Sequence, residues 1–195
     1  MVVLARGLTK SSELLDPSAA GAGHAQRRLD DAKFLVGDSV RSMLTEGSAA
    51  PTFELANQNG ERVDLTTLRG RAVLVYFYPK ADTPGCTQQA CLLRDLRPTL
   101  GDDVVVLGIS PDKVPALARF HAKYDLGFDL LSDADHAVAE AYGVWQEKKN
   151  YGKTYMGIVR SAFLVRPDGT FGNVWYKISP KDTPVRLLEA LELAS

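Results

Sequence analysis

The sequence predicts an α/β fold with a mixed central sheet flanked by helices. Two runs carry that reading, Val73-Leu74-Val75-Tyr76-Phe77-Tyr78 and Val104-Val105-Val106-Leu107-Gly108-Ile109-Ser110. Both are nearly unbroken apolar stretches, the pattern of strands covered on both faces rather than wetted on one. Segments of helical character alternate with them, as in a sheet with helices packed on its two sides. A late pair of strand-like runs, 161–166 and 171–177, flanks the turn signal Pro167-Asp168-Gly169. That hairpin adds antiparallel strands and makes the sheet mixed.

The elements follow in order. Residues 1–32 are rich in Ala, Gly, Ser and charges, with the loose stretch Ser18-Ala19-Ala20-Gly21-Ala22-Gly23. Leu29, Phe34, Leu35, Val36, Val40 and Leu44 can support an irregular helix over 25–44. Gly47 to Pro51 marks a boundary. Residues 1–46 are therefore read as an N-terminal extension, partly helical or disordered, and 47–195 as the main α/β domain. A short strand over 52–55 and another over 62–65 flank Asn59-Gly60, a hairpin signal. The strand at 73–78 leads into a helix carrying Gln88-Gln89-Ala90-Cys91-Leu92-Leu93-Arg94. Helices are expected over 115–124 and 134–142, and a last one over 184–193.

Bulk properties narrow the function. The 195-residue chain has a net charge of −1 and 24% charged residues. It offers no basic excess for nucleic acid or an anionic membrane. No apolar run approaches the roughly 20 residues of a membrane span. Arg6 and Lys10 cut short the opening Met1-Val2-Val3-Leu4-Ala5, so no secretory signal is read there. Glu13, Asp16, Asp30, Asp31 and Asp38 make the segment too acidic for a transit peptide. The expected location is the cytoplasm, where two cysteines point to redox or metal chemistry rather than a structural disulfide. His24, His121 and His136 lie far from both cysteines in sequence, so no metal or other cofactor is expected.

The chemistry concentrates in Pro79-Lys80-Ala81-Asp82-Thr83-Pro84-Gly85-Cys86, with the only other cysteine, Cys91, five residues on. A strand feeding a Pro/Gly-rich turn into a helix puts Cys86 in or just before the first helical turn. Free N–H groups and the positive dipole end there favour a thiolate.

The spacing Pro79-x-x-x-Thr83-x-x-Cys86 resembles the peroxiredoxin active-site motif. The flanking residues Phe77 to Thr87, with Cys91 following, are similar to the peroxiredoxin Q (bacterioferritin comigratory protein) branch. A third match lies at Gly157-Ile158-Val159-Arg160-Ser161-Ala162-Phe163-Leu164. The resemblance runs from about residue 47 to the C-terminus. It implies a thioredoxin-like fold and a thiol peroxidase acting in antioxidant defence. Hydrogen peroxide and organic hydroperoxides are the implied substrates, and a thioredoxin or similar dithiol the implied reductant. It also implies that Arg160 completes the peroxide site. A monomer is expected, with the N-terminal extension as the route to a dimer.

An unperturbed thiol, with a pKa of about 8.5, is only a few per cent ionised at pH 7. A helix end alone contributes only about 0.3–1 kcal/mol. A full charge nearby is needed, and Arg160 offers one in a fixed fork of donors. Thr83 is expected to orient peroxide beside the sulfur, and Pro79 to shield it. On one continuous helix, Cys86 and Cys91 have Cα atoms about 8.7 Å apart, beyond the ~7 Å reach of a disulfide. A Cys86–Cys91 bond therefore needs the first turns to unwind. Gly85 and the modest helix formers Thr87 and Cys91 make that end easy to melt. Two alternatives stand beside this reading: Cys91 as a spectator in a one-cysteine cycle, and a thioredoxin-type exchanger, which normally carries Cys-x-x-Cys. Tyr142, Trp145, Tyr151, Tyr155 and Trp175 either wall the substrate entrance or pack the core. The chain departs from the family at Gln89, where glutamate is frequent, and at Asp182-Thr183-Pro184, where Gly-His often precedes the last helix. Neither departure is expected to touch the catalytic set.

Overall fold

The computed structural model describes residues 44–150 and 152–192. Tyr151 and, apart from Leu44, the helix expected over 25–44 lie outside the described residues.

The predicted buried runs form β3 (Ala72–Phe77) and β4 (Val104–Ser110) of a seven-stranded sheet. With β1 (Glu54–Asn57), β2 (Arg62–Asp64), β5 (Asp129–Ser132), β8 (Ser161–Val165) and β9 (Phe171–Trp175), the order is β2-β1-β5-β4-β3-β8-β9. The pairs β3–β4 and β4–β5 are parallel, and the rest are antiparallel. The sheet is mixed, as expected. Among the described residues the α-helices are α1 (Pro84–Leu100), α2 (Val114–Tyr124), α3 (Ala137–Ala141) and α4 (Asp182–Glu192). Among the described residues no helix is long and apolar enough to cross a membrane.

Alternation along β3 divides the core in two. Leu74, Tyr76 and Tyr78 meet Cys86, Ala90 and Leu93 of α1, Leu117 and Phe120 of α2, and Leu187 and Ala190 of α4. Val73, Val75 and Phe77 point the other way, toward Tyr142, Phe163, Phe171 and Ala139 of α3. Each fully buried large apolar side chain contributes about 1.5–3 kcal/mol. Phe163 lies at the hub of the second cluster, with ring centroids 5.1 Å from Tyr142 and 5.8 Å from Phe77.

Tyr76 and Gly108 are paired across β3 and β4. A Cβ at Gly108 would stand 2.6 Å from the Tyr76 hydroxyl oxygen and 2.7 Å from its ring carbon. The ring is wholly buried and cannot swing aside. Gly108→Ala is therefore expected to destabilise the protein by about 1–3 kcal/mol through overpacking. Thermal denaturation checks this; a melting midpoint equal to that of the parent protein contradicts the packing described.

Several boundaries differ from the sequence reading. The Asn59-Gly60 hairpin exists, but its strands pair only from Glu54–Ala56 to Arg62–Asp64. The Asn57 side chain accepts the N–H groups of Asn59 and Glu61, which lengthens the loop, and Gly60 supplies a φ of +84°. Leu65 leaves the strand for a 3-10 turn, Leu65–Leu68, because the Asp64 carboxylate accepts the Thr66 N–H. The helix expected from 134 begins at Ala137, since the Asp133 carboxylate takes the amides of Val138 and Ala139. Burial outweighs those bonds and raises the Asp133 carboxyl above its ordinary range.

The sequence reading missed three strands. β5 has only Leu130 and Leu131 as an apolar signal. The hairpin of β6 (Trp145–Asn150) and β7 (Lys153–Ile158) forms a separate two-stranded sheet. Its Lys148–Lys149 and Lys153–Thr154 stretches lack the alternation that marks a half-buried strand.

Candidate active site

The C-terminal ends of parallel strands in α/β sheets are where sites are built. Here β3 and β4 end side by side, and the chain leaves β3 through residues 78–83 into α1. Two anchors fix that loop. Asp112 accepts the Ala81 N–H at 2.7 Å and the Ser110 hydroxyl at 2.9 Å. Asp82, at a φ of 56°, binds the Lys123 ammonium at 2.9 Å and accepts the Tyr124 hydroxyl at 2.8 Å. Those two donors hold the Asp82 carboxyl below its usual range.

Thr83 is the N-cap of α1, with extended backbone, and Pro84 opens the helix where its missing N–H is harmless. The first helical bond runs from the Thr87 N–H to the Thr83 carbonyl, 2.8 Å. The Thr83 hydroxyl does not cap the helix; it donates to the Lys80 carbonyl at 3.0 Å. Cys86 is thus the third helical residue, 2% exposed, at the positive end of a 17-residue helix.

Arg160 reaches the sulfur from the junction between β7 and β8. Its backbone is clamped on both sides: the Val159 N–H donates to the Val144 carbonyl, and the Arg160 carbonyl accepts the Ile178 N–H. Its Nη2 donates to the Cys86 Sγ at 3.2 Å, and its Nη1 donates to the Gln89 Oε1. Cys86 and Gln89 are i and i+3 on α1, so one planar fork meets both. Beneath them Tyr76 and Tyr78 are fully buried. Burial first, then the neighbouring phenol and Cys86, holds the Tyr76 phenol far above its ordinary range; burial does the same at Tyr78. Both stay neutral at physiological pH.

Cys86, Gln89 and Arg160 all fall inside a stretch with known relatives. The model of the AhpC/TSA family matches residues 47–173. A Haemophilus influenzae protein described as putative peroxiredoxin bcp is 51% identical over 149 residues, covering 76% of this chain and 96% of its own. Peroxiredoxin Bcp of Escherichia coli K12 is 55% identical over 133 residues, covering 68% and 85%. The chain belongs to the AhpC/TSA family, in its peroxiredoxin Q/Bcp branch. Among solved structures, a cysteine-to-serine variant of Xanthomonas campestris peroxiredoxin Q is 34% identical with a TM-score of 0.72, covering 79% of this chain and 99% of the other. Its fold is the thioredoxin-like one expected from the sequence. As a peroxiredoxin, the protein is a thiol peroxidase.

In this peroxiredoxin the expected site residues are distributed unequally. Cys86 and Arg160 are in direct contact. Pro79 is half-buried immediately after Tyr78, and Thr83 sits four residues on, its hydroxyl already engaged with Lys80. Cys91 lies on the same continuous helix as Cys86, partly exposed, and both are free thiols. One expectation is corrected. Gln89 touches Arg160 directly, and Thr183 reaches it through Gln89: Gln89 accepts from Arg160 and donates its Nε2–H to the Thr183 hydroxyl at 2.8 Å. Helical spacing puts Gln89 on the Cys86 face, and α4 begins against that face. Of the aromatic residues, Tyr142 is core, Trp145 stacks on His136 at 3.8 Å, Trp175 packs on the α1 side, and Tyr155 is exposed.

Proposed function

We propose that this peroxiredoxin reduces hydrogen peroxide and organic hydroperoxides through Cys86, with Cys91 as resolving thiol and a thioredoxin-type dithiol as reductant. The Cys86 thiolate attacks the nearer peroxide oxygen. The O–O bond breaks, the leaving alkoxide or hydroxide takes a proton, and Cys86 becomes the sulfenic acid. Cys91 then displaces water from that sulfur to give the Cys86–Cys91 disulfide, and the external dithiol restores both thiols while becoming a disulfide. The single observation carrying the reading is the Arg160 guanidinium 3.2 Å from Cys86 Sγ at a helix N-terminus. That fork stabilises a thiolate and can hold the oxygen on which charge develops. The Xanthomonas campestris bacterioferritin comigratory protein, 33% identical with a TM-score of 0.73, is described for its alkyl peroxide reduction activity, which supports including organic hydroperoxides. Thr83 and Pro79 frame the loop beside the sulfur. In this reading residues 47–195 form the catalytic domain, residues 1–46 an extension, and the protein acts in the cytoplasm as a monomer.

Mass spectrometry after one equivalent of peroxide tests the cycle. It is expected to find an intramolecular Cys86–Cys91 link; Cys86 oxidised with Cys91 left free points instead to the one-cysteine cycle. The helix makes a sharper prediction. Because α1 is continuous from Pro84 to Leu100, the disulfide form must lose helical order over residues 86–92. Amide exchange there is expected to be faster in the disulfide form than in the dithiol form, while β3 and β4 stay protected. Thr87→Ala, which strengthens the helix without touching sulfur, is expected to slow disulfide formation and leave sulfenic-acid formation unchanged. Equal protection over 86–92 in both forms removes the unwinding step.

A further inference from the structure

The hydrogen bonds beyond Arg160 have a direction that chemistry fixes. The Ser179 carbonyl can only accept, so the Thr183 hydroxyl spends its one proton there, at 3.1 Å. Its oxygen is left to accept, which orients the Gln89 amide with Nε2 toward Thr183 and Oε1 toward Arg160. Gln89 and Thr183 are both wholly buried, so no water competes for these groups. The chain runs one way, from Arg160 through Gln89 and Thr183 to Ser179. A carboxylate at position 89 could accept from Arg160, but its second oxygen would need the Thr183 proton that Ser179 holds.

The other charged or titratable groups facing this pair are few. Tyr76 and Tyr78 approach from β3 and are neutral, with Asp112 beyond Tyr78 at the end of β4; Cys91 lies on α1 itself. Lys177, Lys181 and Asp182, on the segment leading into α4, are exposed. The polar partner of Nη1 is thus an uncharged acceptor, where an acid would offset the guanidinium.

We propose that Gln89, oriented by Thr183, is a positioning residue that aims Arg160 at Cys86 while leaving the guanidinium charge unneutralised. This rests on the reading of Arg160 as the group that activates Cys86. Its function is to separate two tasks a carboxylate would merge: holding the fork in place, and leaving its charge for sulfur and peroxide.

The test uses the full chain carrying Cys91→Ser, so that Cys86 alone reports. Alkylation of Cys86 by iodoacetamide is followed from pH 4 to 10, together with the second-order rate with hydrogen peroxide. In Gln89→Glu the pH of half-maximal alkylation is expected to rise by about one unit, the low end of the shift an adjacent charge imposes. Thr183→Val frees the amide to turn its NH₂ toward the guanidinium, and the peroxide rate is expected to fall about tenfold, somewhat less than losing a preorganised donor outright. Thr183→Ser keeps the hydroxyl and is expected to stay within about twofold of the parent rate. An unmoved alkylation profile in Gln89→Glu overturns the proposal, and so do equal peroxide rates in Thr183→Val and Thr183→Ser. Arg160→Met separates the two levels. If it also leaves the alkylation profile unmoved, the activating role of Arg160 fails; if it moves the profile and Gln89→Glu does not, only the role of Gln89 fails.

Discussion

Cys86→Ser is expected to abolish peroxide reduction, whereas Cys91→Ser still completes one turnover. A serine hydroxyl at position 86 keeps the hydrogen bond from Arg160 but does not ionise in the accessible pH range, and oxygen is the poorer nucleophile toward an O–O bond. Cys91 cannot substitute, because it lies five residues along the helix, away from the N-terminal turn and from the guanidinium. In Cys91→Ser the first step proceeds and the protein stops as the Cys86 sulfenic acid. Single-turnover peroxide loss, followed by stopped flow in both variants, checks the assignment. Rapid peroxide consumption by Cys86→Ser would sink it.

Arg160→Lys is expected to lower the second-order rate with peroxide on the order of 10²-fold, although the charge is kept. Both terminal nitrogens of Arg160 are in use, one on the sulfur and one on Gln89. A lysine ammonium is a single flexible donor and cannot span that planar geometry. It is free to sit on Gln89 and leave the sulfur, or the reverse. A change of less than about threefold means that the fork contributes little to the transition state, and Arg160 leaves the site.

Much of this was legible in the sequence, for identifiable reasons. The strands at 73–78 and 104–110 are buried on both faces, so their composition alone announces them. The Cys86 turn has a local signature, since proline, glycine and a strand-to-helix change fall within eight residues. Arg160 is 74 residues from Cys86, and only the resemblance joined them. The Gln89–Thr183 bond spans 94 residues and stayed invisible. Neither side chain is charged, and both look like ordinary helix residues until α1 and α4 are brought together. The Lys123–Asp82 tie was hidden in the same way. The hairpin β6–β7 escaped because its strands draw little on the core, so no hydrophobic period marked them.

The alternation along β3 bears on the energetics of a turnover. Every second residue of that strand faces α1, and the others face a cluster of Phe and Tyr rings that contains no part of α1. If residues 86–92 open in the proposed disulfide form, the apolar area newly exposed comes from one side of the sheet only. Hydration of apolar surface raises heat capacity in proportion to area. Opening those residues on oxidation is therefore expected to raise the heat capacity by far less than global unfolding does, and calorimetry comparing the disulfide and dithiol forms checks it. In the proposed cycle the sheet and its Tyr142–Phe163 side keep their packing throughout, as the template on which α1 would re-form once the disulfide is reduced.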